Sequence, residues 1–240
     1  MIFAALVAGG HGTRMGGSLP KQLLPLGGKP VLFHTVEHFL RHPQIDGVVI
    51  GIAPDLYDQT HDLLARYCPQ QPVYLVNGGS NRNDTIVRII DYMVSSLSCT
   101  TDTLVLSHDA VRPFVTDRMI DDSIAAMCDS TVSVCTTAIP ETDTVVCTHD
   151  TRTADSFPDR STLYRIQTPQ TFRISTFRQV YAALNEQQKA AATDVCSLFR
   201  QQGLPVRLVS GDRRNIKLTY PEDFRYAEYL LSTAEDEPIV

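Results

Sequence analysis

The chain has 240 residues, 43% of them hydrophobic and 20% charged, enough to bury one sizeable core, and a single domain over 1–240 is expected. Its 21 Lys and Arg against 27 Asp and Glu leave a formal charge of -6, which supplies no overall field for gripping a polyphosphate backbone and sets nucleic acid aside as the main partner. No apolar stretch approaches the roughly 20 residues that cross a bilayer, and the opening MIFAALVAGG lacks a basic leader and a cleavage site, so the expectation is a cytoplasmic protein with no membrane partner.

Short apolar runs alternate with longer periodic segments: Ile2 to Val7 then Val31 to Leu40, Val48 to Ile52 then Asp55 to Tyr67, Val73 to Val76 then Asp84 to Leu97, Thr103 to Leu106 then Asp117 to Met127. This strand and helix rhythm predicts an α/β, Rossmann-like fold, with a mostly parallel sheet, helices on both faces and ligands beyond the carboxyl ends of the strands. The second half breaks the rhythm. Val132 to Ile139, Thr142 to Cys147 and the stretch around Arg152 to Ser156 read as successive strands, predicting a protruding antiparallel β-arm over about 139–165 whose edges a second copy could cover in a homodimer. Further on, Arg207 to Ser210 and Ile216 to Leu218 read as strands. Thr219-Tyr220-Pro221-Glu222 reads as a capping box with Pro in the first helical turn. Six scattered cysteines show no CxxC pair and predict reduced, mostly buried thiols.

The strongest chemical signal follows the first strand: Ala8-Gly9-Gly10-His11-Gly12-Thr13-Arg14-Met15-Gly16-Gly17, then Pro20-Lys21-Gln22. Glycines there let backbone N–H groups approach phosphate oxygens, and Arg14 and Lys21 add positive charge, which reads as a triphosphate cradle. A loop of this kind standing alone reads equally well as a flexible turn with solvated basic residues. No Gly-Lys-Ser/Thr follows, so the Walker pattern fails. Met15 occupies the third glycine position of the dinucleotide fingerprint, and Gly51-Ile52-Ala53 offers no acidic residue at the end of the second strand, which demotes hydride transfer.

A second glycine-rich turn, Gly78-Gly79-Ser80-Asn81-Arg82-Asn83-Asp84-Thr85, opens a helix that Ser80 or Asn81 can cap; alone it is more simply an ordinary strand-to-helix turn. Ser107-His108-Asp109-Ala110-Val111-Arg112-Pro113 places a carboxylate just past a strand, where Asp109 can hold magnesium together with substrate phosphates. His108 and Arg112 read better as structural contacts. Taken singly, Arg160 is a surface charge and Lys217 a strand-edge lysine.

Taken together, AGGHGTRMG, LPKQ, GGSNRND, HDAVRP, QTPQTF, Thr193-Asp194 and NIKLT resemble, in order and spacing and over nearly the whole chain, the cytidylyltransferases that act on polyol phosphates. The resemblance implies transfer of CMP from CTP to a polyol phosphate with release of pyrophosphate, with magnesium as cofactor, on a Rossmann-like sheet whose arm builds a homodimer. It places Arg14 and Lys21 on the triphosphate, together with Gly12 and Thr13 just before Arg14. It puts Lys217 at the transferring phosphorus and Arg160, from the partner subunit's arm, on the acceptor phosphate. Ala8, Gly9, Gly10, Gly79, Arg82 and Thr85 match positions that bind the cytidine and its ribose or phosphates. Asp109, Thr168 and Thr193 match positions near the polyol. The acceptor phosphate is already an anion near neutral pH and needs no general base, so catalysis is expected to be electrostatic and positional.

Two branches share this pattern, one using 2-C-methyl-D-erythritol 4-phosphate in isoprenoid synthesis and one using D-ribitol 5-phosphate to make CDP-ribitol. Gly9, Val111, Thr144-Val145-Val146 without a following lysine, and Val195-Cys196 after Thr193-Asp194 resemble the ribitol branch more closely. Arg214 stands where many relatives of the erythritol type carry Asp, which removes a carboxylate beside Asn215. A non-catalytic CTP-binding regulatory protein on the same fold is the alternative of a different class.

Overall fold

The computed structural model describes residues 1–10 and 19–234. β1 (Ile2–Ala8) leads through a 3-10 turn at Lys21–Leu23 into a short hairpin, β2 (Pro25–Leu26) and β3 (Lys29–Pro30), and then α1 (Val31–Arg41). β4 (Gly47–Ile52), α2 (Tyr57–Tyr67), β5 (Val73–Asn77), α3 (Arg82–Ser96), β6 (Leu104–Asp109) and α4 (Asp117–Ala126) continue the alternation. The second half holds β7 (Val134–Pro140), β8 (Tyr164–Arg173), α5 (Ile174–Ala183), α6 (Glu186–Ala191), α7 (Val195–Gln201), β9 (Arg207–Ser210) and α8 (Pro221–Ala234).

Seven strands form one sheet in the order β5-β4-β1-β6-β8-β7-β9. β1 pairs in parallel with both β4 and β6, β4 with β5, and β7 with β9; β8 alone runs against its neighbours β6 and β7. Continuous apolar runs such as GVVIGI in β4 suit strands covered on both faces. Alternate residues divide the core. Ala4 and Leu6 of β1 and Ile50 and Ile52 of β4 pack with Phe33 and Phe39 of α1 and Met119 of α4, while Phe3, Ala5 and Val49 face Ile86 and Ile89 of α3, Phe177 of α5 and Phe199 of α7. Phe172 stacks on Phe177 with ring centroids 5.0 Å apart, and each such buried ring contributes about 1.5–3 kcal/mol. The parallel sheet flanked by helices on both faces is the predicted architecture.

Three expectations are corrected. The segment between β7 and β8 is no ladder of strands: Thr142 to Cys147 and Arg152 to Ser156 form only an isolated bridge, Cys147 to Ser156, in a largely exposed excursion. Its Thr, Asp and Glu side chains bond the local backbone, as Asp150 Oδ1 does in accepting from Arg152 N and Thr153 N and Glu141 Oε1 in accepting from Thr142 N and Asp143 N, and such turns compete with a ladder. Ile216 to Leu218 is not a strand either. Leu218 N bonds Val111 O at 2.9 Å, but Ile216 N is turned back onto Arg214 O. Finally, the cap of α8 is displaced by one residue: Asp223 Oδ2, not Glu222, accepts from Thr219 N and Tyr220 N, and the Thr219 hydroxyl donates to Lys217 O.

Among the cysteines, Cys68, Cys99, Cys135 and Cys196 are buried thiols, whereas Cys128 and Cys147 are exposed. No helix among the described residues is long and apolar enough to cross a membrane.

Candidate active site

The strand order reverses between the parallel neighbours β1 and β6, and a crevice opens beyond their carboxyl ends. Val7 and Asp109 are register partners there, so the glycine turn leaving β1 and the carboxylate ending β6 are neighbours by construction. β6 runs three residues further than its apolar stretch suggested, and Ser107, His108 and Asp109 belong to the strand itself.

A cavity of about 460 Å³ occupies this crevice, lined by Ala8 at the end of β1, Gly9 and Gly10 after it, Lys21 of the 3-10 turn, Gly79, Arg82 and Thr85 around the start of α3, and Asp109 and Lys217. These nine positions, gathered from distant stretches of sequence, line one cavity. Gly12, Thr13 and Arg14 lie outside the described residues. Gln22, fully buried beside Lys21, donates from Nε2 to Ala8 O at 2.9 Å and ties the Pro-Lys-Gln turn to the end of β1.

The start of α3 is built by its cap. The Asn81 side chain accepts from Asp84 N at 2.9 Å, and the Thr85 hydroxyl accepts from Gly79 N at 3.0 Å while donating to Asn81 O at 2.9 Å. Gly79 is required by space, because a Cβ would drive into Asp84 Cβ, and Gly51 of β4 gives Thr85 the same close approach. Gly79, Arg82 and Thr85 line the cavity, so the positive end of α3 borders it.

Asp109 is the electrostatic centre. Its Oδ1 lies 3.4 Å from Arg82 Nε, and its Oδ2 lies 3.2 Å from Arg112 Nε and 3.0 Å from Lys217 Nζ. Burial alone would raise its pKa, but Arg82, Lys217 and Arg112 outweigh that and hold the carboxyl far below the usual carboxylate range. Lys21, Arg82 and Lys217 face the cavity against this one carboxylate, so the wall carries an excess of positive charge suited to a phosphate chain.

His108 and Arg112 are structural, as expected. The His108 ring sits between the Thr168 hydroxyl at 2.9 Å and Arg112 O at 3.0 Å, and burial pushes its pKa down to about 4, so it is neutral near pH 7. Arg112 Nη1 donates to Asn215 O at 2.8 Å and so fixes the segment that carries Lys217. Thr168 joins the centre through its hydroxyl, which accepts from Asp109 N at 3.2 Å. Thr193 instead lines a separate hollow of about 610 Å³ with Ile166, Asp194 and Leu208. Arg160 is exposed between β7 and β8, with Nη1 on Thr142 O at 3.2 Å.

Sequence reasoning passed over Ser107, Gln170 and Asn215. Ser107 Oγ accepts from Arg82 Nη2 at 3.3 Å, and the fully buried Asn215 donates from Nδ2 to Thr168 O at 2.8 Å. Uncharged side chains inside strands and turns carry no signal of their own; each of the three lies within a quoted motif but was given no role there.

A family model described as IspD, 2-C-methyl-D-erythritol 4-phosphate cytidylyltransferase, matches residues 2–233. The chain belongs to the IspD family. It is 38% identical over 232 residues, covering 96% of this chain and 98% of the relative, to a ribitol-5-phosphate cytidylyltransferase of Lactiplantibacillus plantarum. Among solved structures, 4-diphosphocytidyl-2C-methyl-D-erythritol synthase from Anaerococcus prevotii superposes with a TM-score of 0.78 at 28% identity, covering 97% of this chain and 98% of that one. The 2-C-methyl-D-erythritol 4-phosphate cytidylyltransferase of Thermus thermophilus gives 0.73 at 25% identity, covering 97% and 100%. As an IspD-family protein the chain is a nucleotidyltransferase, a cytidylyltransferase that acts on polyol phosphates, and the cavity at the end of β1 and β6 is where its motifs converge.

Proposed function

We propose that the acceptor is D-ribitol 5-phosphate, so that the enzyme makes CDP-ribitol and pyrophosphate from it and CTP. The likeness to the L. plantarum ribitol-5-phosphate enzyme, at 38% identity over nearly the full length of both chains, supports this acceptor. The single observation that carries the site assignment is that Lys21, Arg82, Lys217 and Asp109 line one cavity, with Arg82 and Lys217 paired to Asp109.

An acceptor phosphate oxygen attacks the α-phosphorus of CTP, the bond to the bridging oxygen breaks, and pyrophosphate leaves. The attacking oxygen is already ionised, and His108, neutral and enclosed between Thr168 and Arg112, is not needed as a base. What opposes reaction is bringing two anions together. Lys21 and Arg82 would hold the phosphate chain, and Lys217, placed by Asp109, would meet charge developing at the α-phosphoryl oxygens, an effect worth about 100-fold or more in rate. Arg14 would add a further cation from the loop.

The donor set fits a magnesium ion that arrives on the nucleotide rather than one caged by protein. Asp109 is the one carboxylate among the described lining residues, no cluster of three metal-ligating side chains occurs among the described residues, and magnesium favours phosphate oxygens with one or two carboxylates. When bound, it would neutralise phosphate charge, with Asp109 as its protein ligand.

A homodimer completes this reading. The excursion between β7 and β8 exposes Val145, Val146 and Phe157, and Tyr164, Ile166 and Leu208 are exposed at its base, an apolar surface suited to a second copy. Arg160 on that excursion would hold the acceptor phosphate in the partner's site, near Thr168 and Thr193. A cytoplasmic setting fits six free thiols and a CTP substrate.

The test is pyrophosphate release with CTP and magnesium, comparing D-ribitol 5-phosphate and 2-C-methyl-D-erythritol 4-phosphate at matched subsaturating concentrations. A strong ribitol preference is expected. A strong methylerythritol preference would overturn the acceptor, and CTP binding without release from either would mark a regulatory protein.

A further inference from the structure

Gln170, on β8, is almost fully buried and spans the two halves of the site. Its Oε1 accepts from Arg82 Nη1 at 3.4 Å and from Val195 N at 3.2 Å, and its Nε2 donates to Asp194 Oδ2 at 2.7 Å. One amide therefore touches a cation of the nucleotide cavity and the first turn of α7, whose cap Asp194 directly follows Thr193. The carboxylate can only accept, so it fixes which way the amide lies and turns the oxygen toward Arg82. Arg82 needs such a fix. Its other partners, Asp109 at 3.4 Å and Ser107 at 3.3 Å, are also at the long end of the hydrogen-bond range, and none of the three holds the guanidinium alone. A second tie runs alongside, from Asn83 Nδ2 to Ala192 O at 2.9 Å, so the first turn of α3 is fastened twice to the 192–195 segment.

We propose that Gln170 is a positioning residue of the transfer reaction: it sets Arg82 toward the nucleotide phosphates and holds the Thr193–Asp194 turn in register with it. This rests on the cytidylyltransferase reading above. Arg82 would contact the nucleotide before and during reaction alike, so a displaced Arg82 weakens binding in both states and raises KM while kcat is kept.

The experiment measures steady-state kinetics with CTP and the preferred polyol phosphate, together with calorimetric binding of CTP, for the full-length wild type and three variants. Gln170→Met keeps length and volume and removes all three bonds; KM for CTP should rise about 10-fold with kcat within about threefold, on the scale of one hydrogen bond to a charged group. Gln170→Glu sets two carboxylates against each other and should show at least the same rise. Adding Asp194→Asn to Gln170→Glu reverses donor and acceptor within the pair, keeps a good cap for α7 and should return KM to within about threefold of wild type. A purely structural Gln170 would instead lower the fraction of folded enzyme and leave KM unchanged in the remainder. Unchanged KM in Gln170→Met overturns the proposal. If that variant does not fold, failure of Asp194→Asn to improve on Gln170→Glu overturns it. A wild type that neither binds CTP nor releases pyrophosphate overturns the cytidylyltransferase reading and the proposal with it, whereas an active wild type with indifferent variants removes the proposal alone.

Discussion

The ammonium of Lys217 lies 3.0 Å from Oδ2 of Asp109, on a carboxylate already shared by Arg82 and Arg112. In the proposed reading the carboxylate would stand in for the phosphates that these cations meet, and it holds mutually repelling groups in place without them. A buried charge of this kind costs more to break than its pairing contributes, because its partners are then left uncompensated.

Asp109→Asn should therefore lose about 3–5 kcal/mol of stability at pH 7 by chemical denaturation. The sign with pH follows from the direction of the shift: the folded-state pKa is depressed, so the stability Asp109 contributes is present above the unfolded value near 4 and is lost as pH falls below it toward the folded value. The gap between wild type and variant should be constant from pH 5 to 8 and narrow below about pH 4. A gap that instead closes on moving from pH 5 to 8 would show that the cations are not what holds the carboxylate.

Lys217→Ala separates chemistry from stability. Lys217 is 42% exposed in its side chain, and Asp109 keeps Arg82 and Arg112 without it, so stability should change by less than about 1 kcal/mol. Turnover should nevertheless fall at least about 100-fold, the scale of one preorganised charge contact. Single-turnover rates measured beside a denaturation curve decide this, and near-normal turnover would remove Lys217 from the reaction.

His108 gives a pH dependence of a different kind. Burial first, opposed by the Arg112 carbonyl and Asp109, lowers its pKa to about 4 from an unfolded value near 6.5. The unfolded chain then binds a proton that the folded one refuses, so this contribution is complete above about pH 6.5 and is lost as pH falls to about 4, about 3 kcal/mol in all. Replacing it by His108→Gln should flatten the stability profile between pH 4.5 and 6.5 while kcat keeps its pH profile from 6.5 to 8. A kcat profile that changes in that upper range would make the imidazole a participant in proton transfer.

Gly79→Ala tests the close approach at the start of α3. The added Cβ meets Asp84 Cβ inside van der Waals contact, so the cap of α3 must shift, at about 1–3 kcal/mol. KM for CTP should rise, with little change in KM for the acceptor. Equal rises in both would mean that the whole sheet edge had moved.

The sheet and the nucleotide half of the site were legible because their signals are local. Apolar runs mark β1, β4 and β6, and the glycine turns after β1 and β5 mark the rim of the cavity. The excursion between β7 and β8 was misread since Thr144-Val145-Val146 has strand composition while the flanking Glu141 and Asp150 side chains satisfy the backbone in turns. Lys217 was recognised but assigned to a strand; what fixes it is Asn215, buried and bonded to Thr168 and Arg112, a tertiary arrangement with no periodic trace. Gln170 stood in the quoted QTPQTF motif but without a role, since its partners Arg82 and Asp194 come from two other segments.

The proposed shared site predicts complementation. Arg160 is exposed on the excursion and held by Thr142 O of its own chain, whereas Lys21 lines the cavity at the foot of β1. If each site takes Lys21 from one subunit and Arg160 from the other, Lys21→Ala and Arg160→Ala homodimers should both be nearly inactive, because each variant damages both of its sites. Subunits exchanged at equal amounts form mixed dimers as about half of the population, each with one intact site, and should recover about a quarter of wild-type activity. Tagging the two variants differently and isolating the mixed species makes the result unambiguous: one working site per dimer supports an arm acting across the interface, and no recovery in verified mixed dimers means that Arg160 serves its own chain or none.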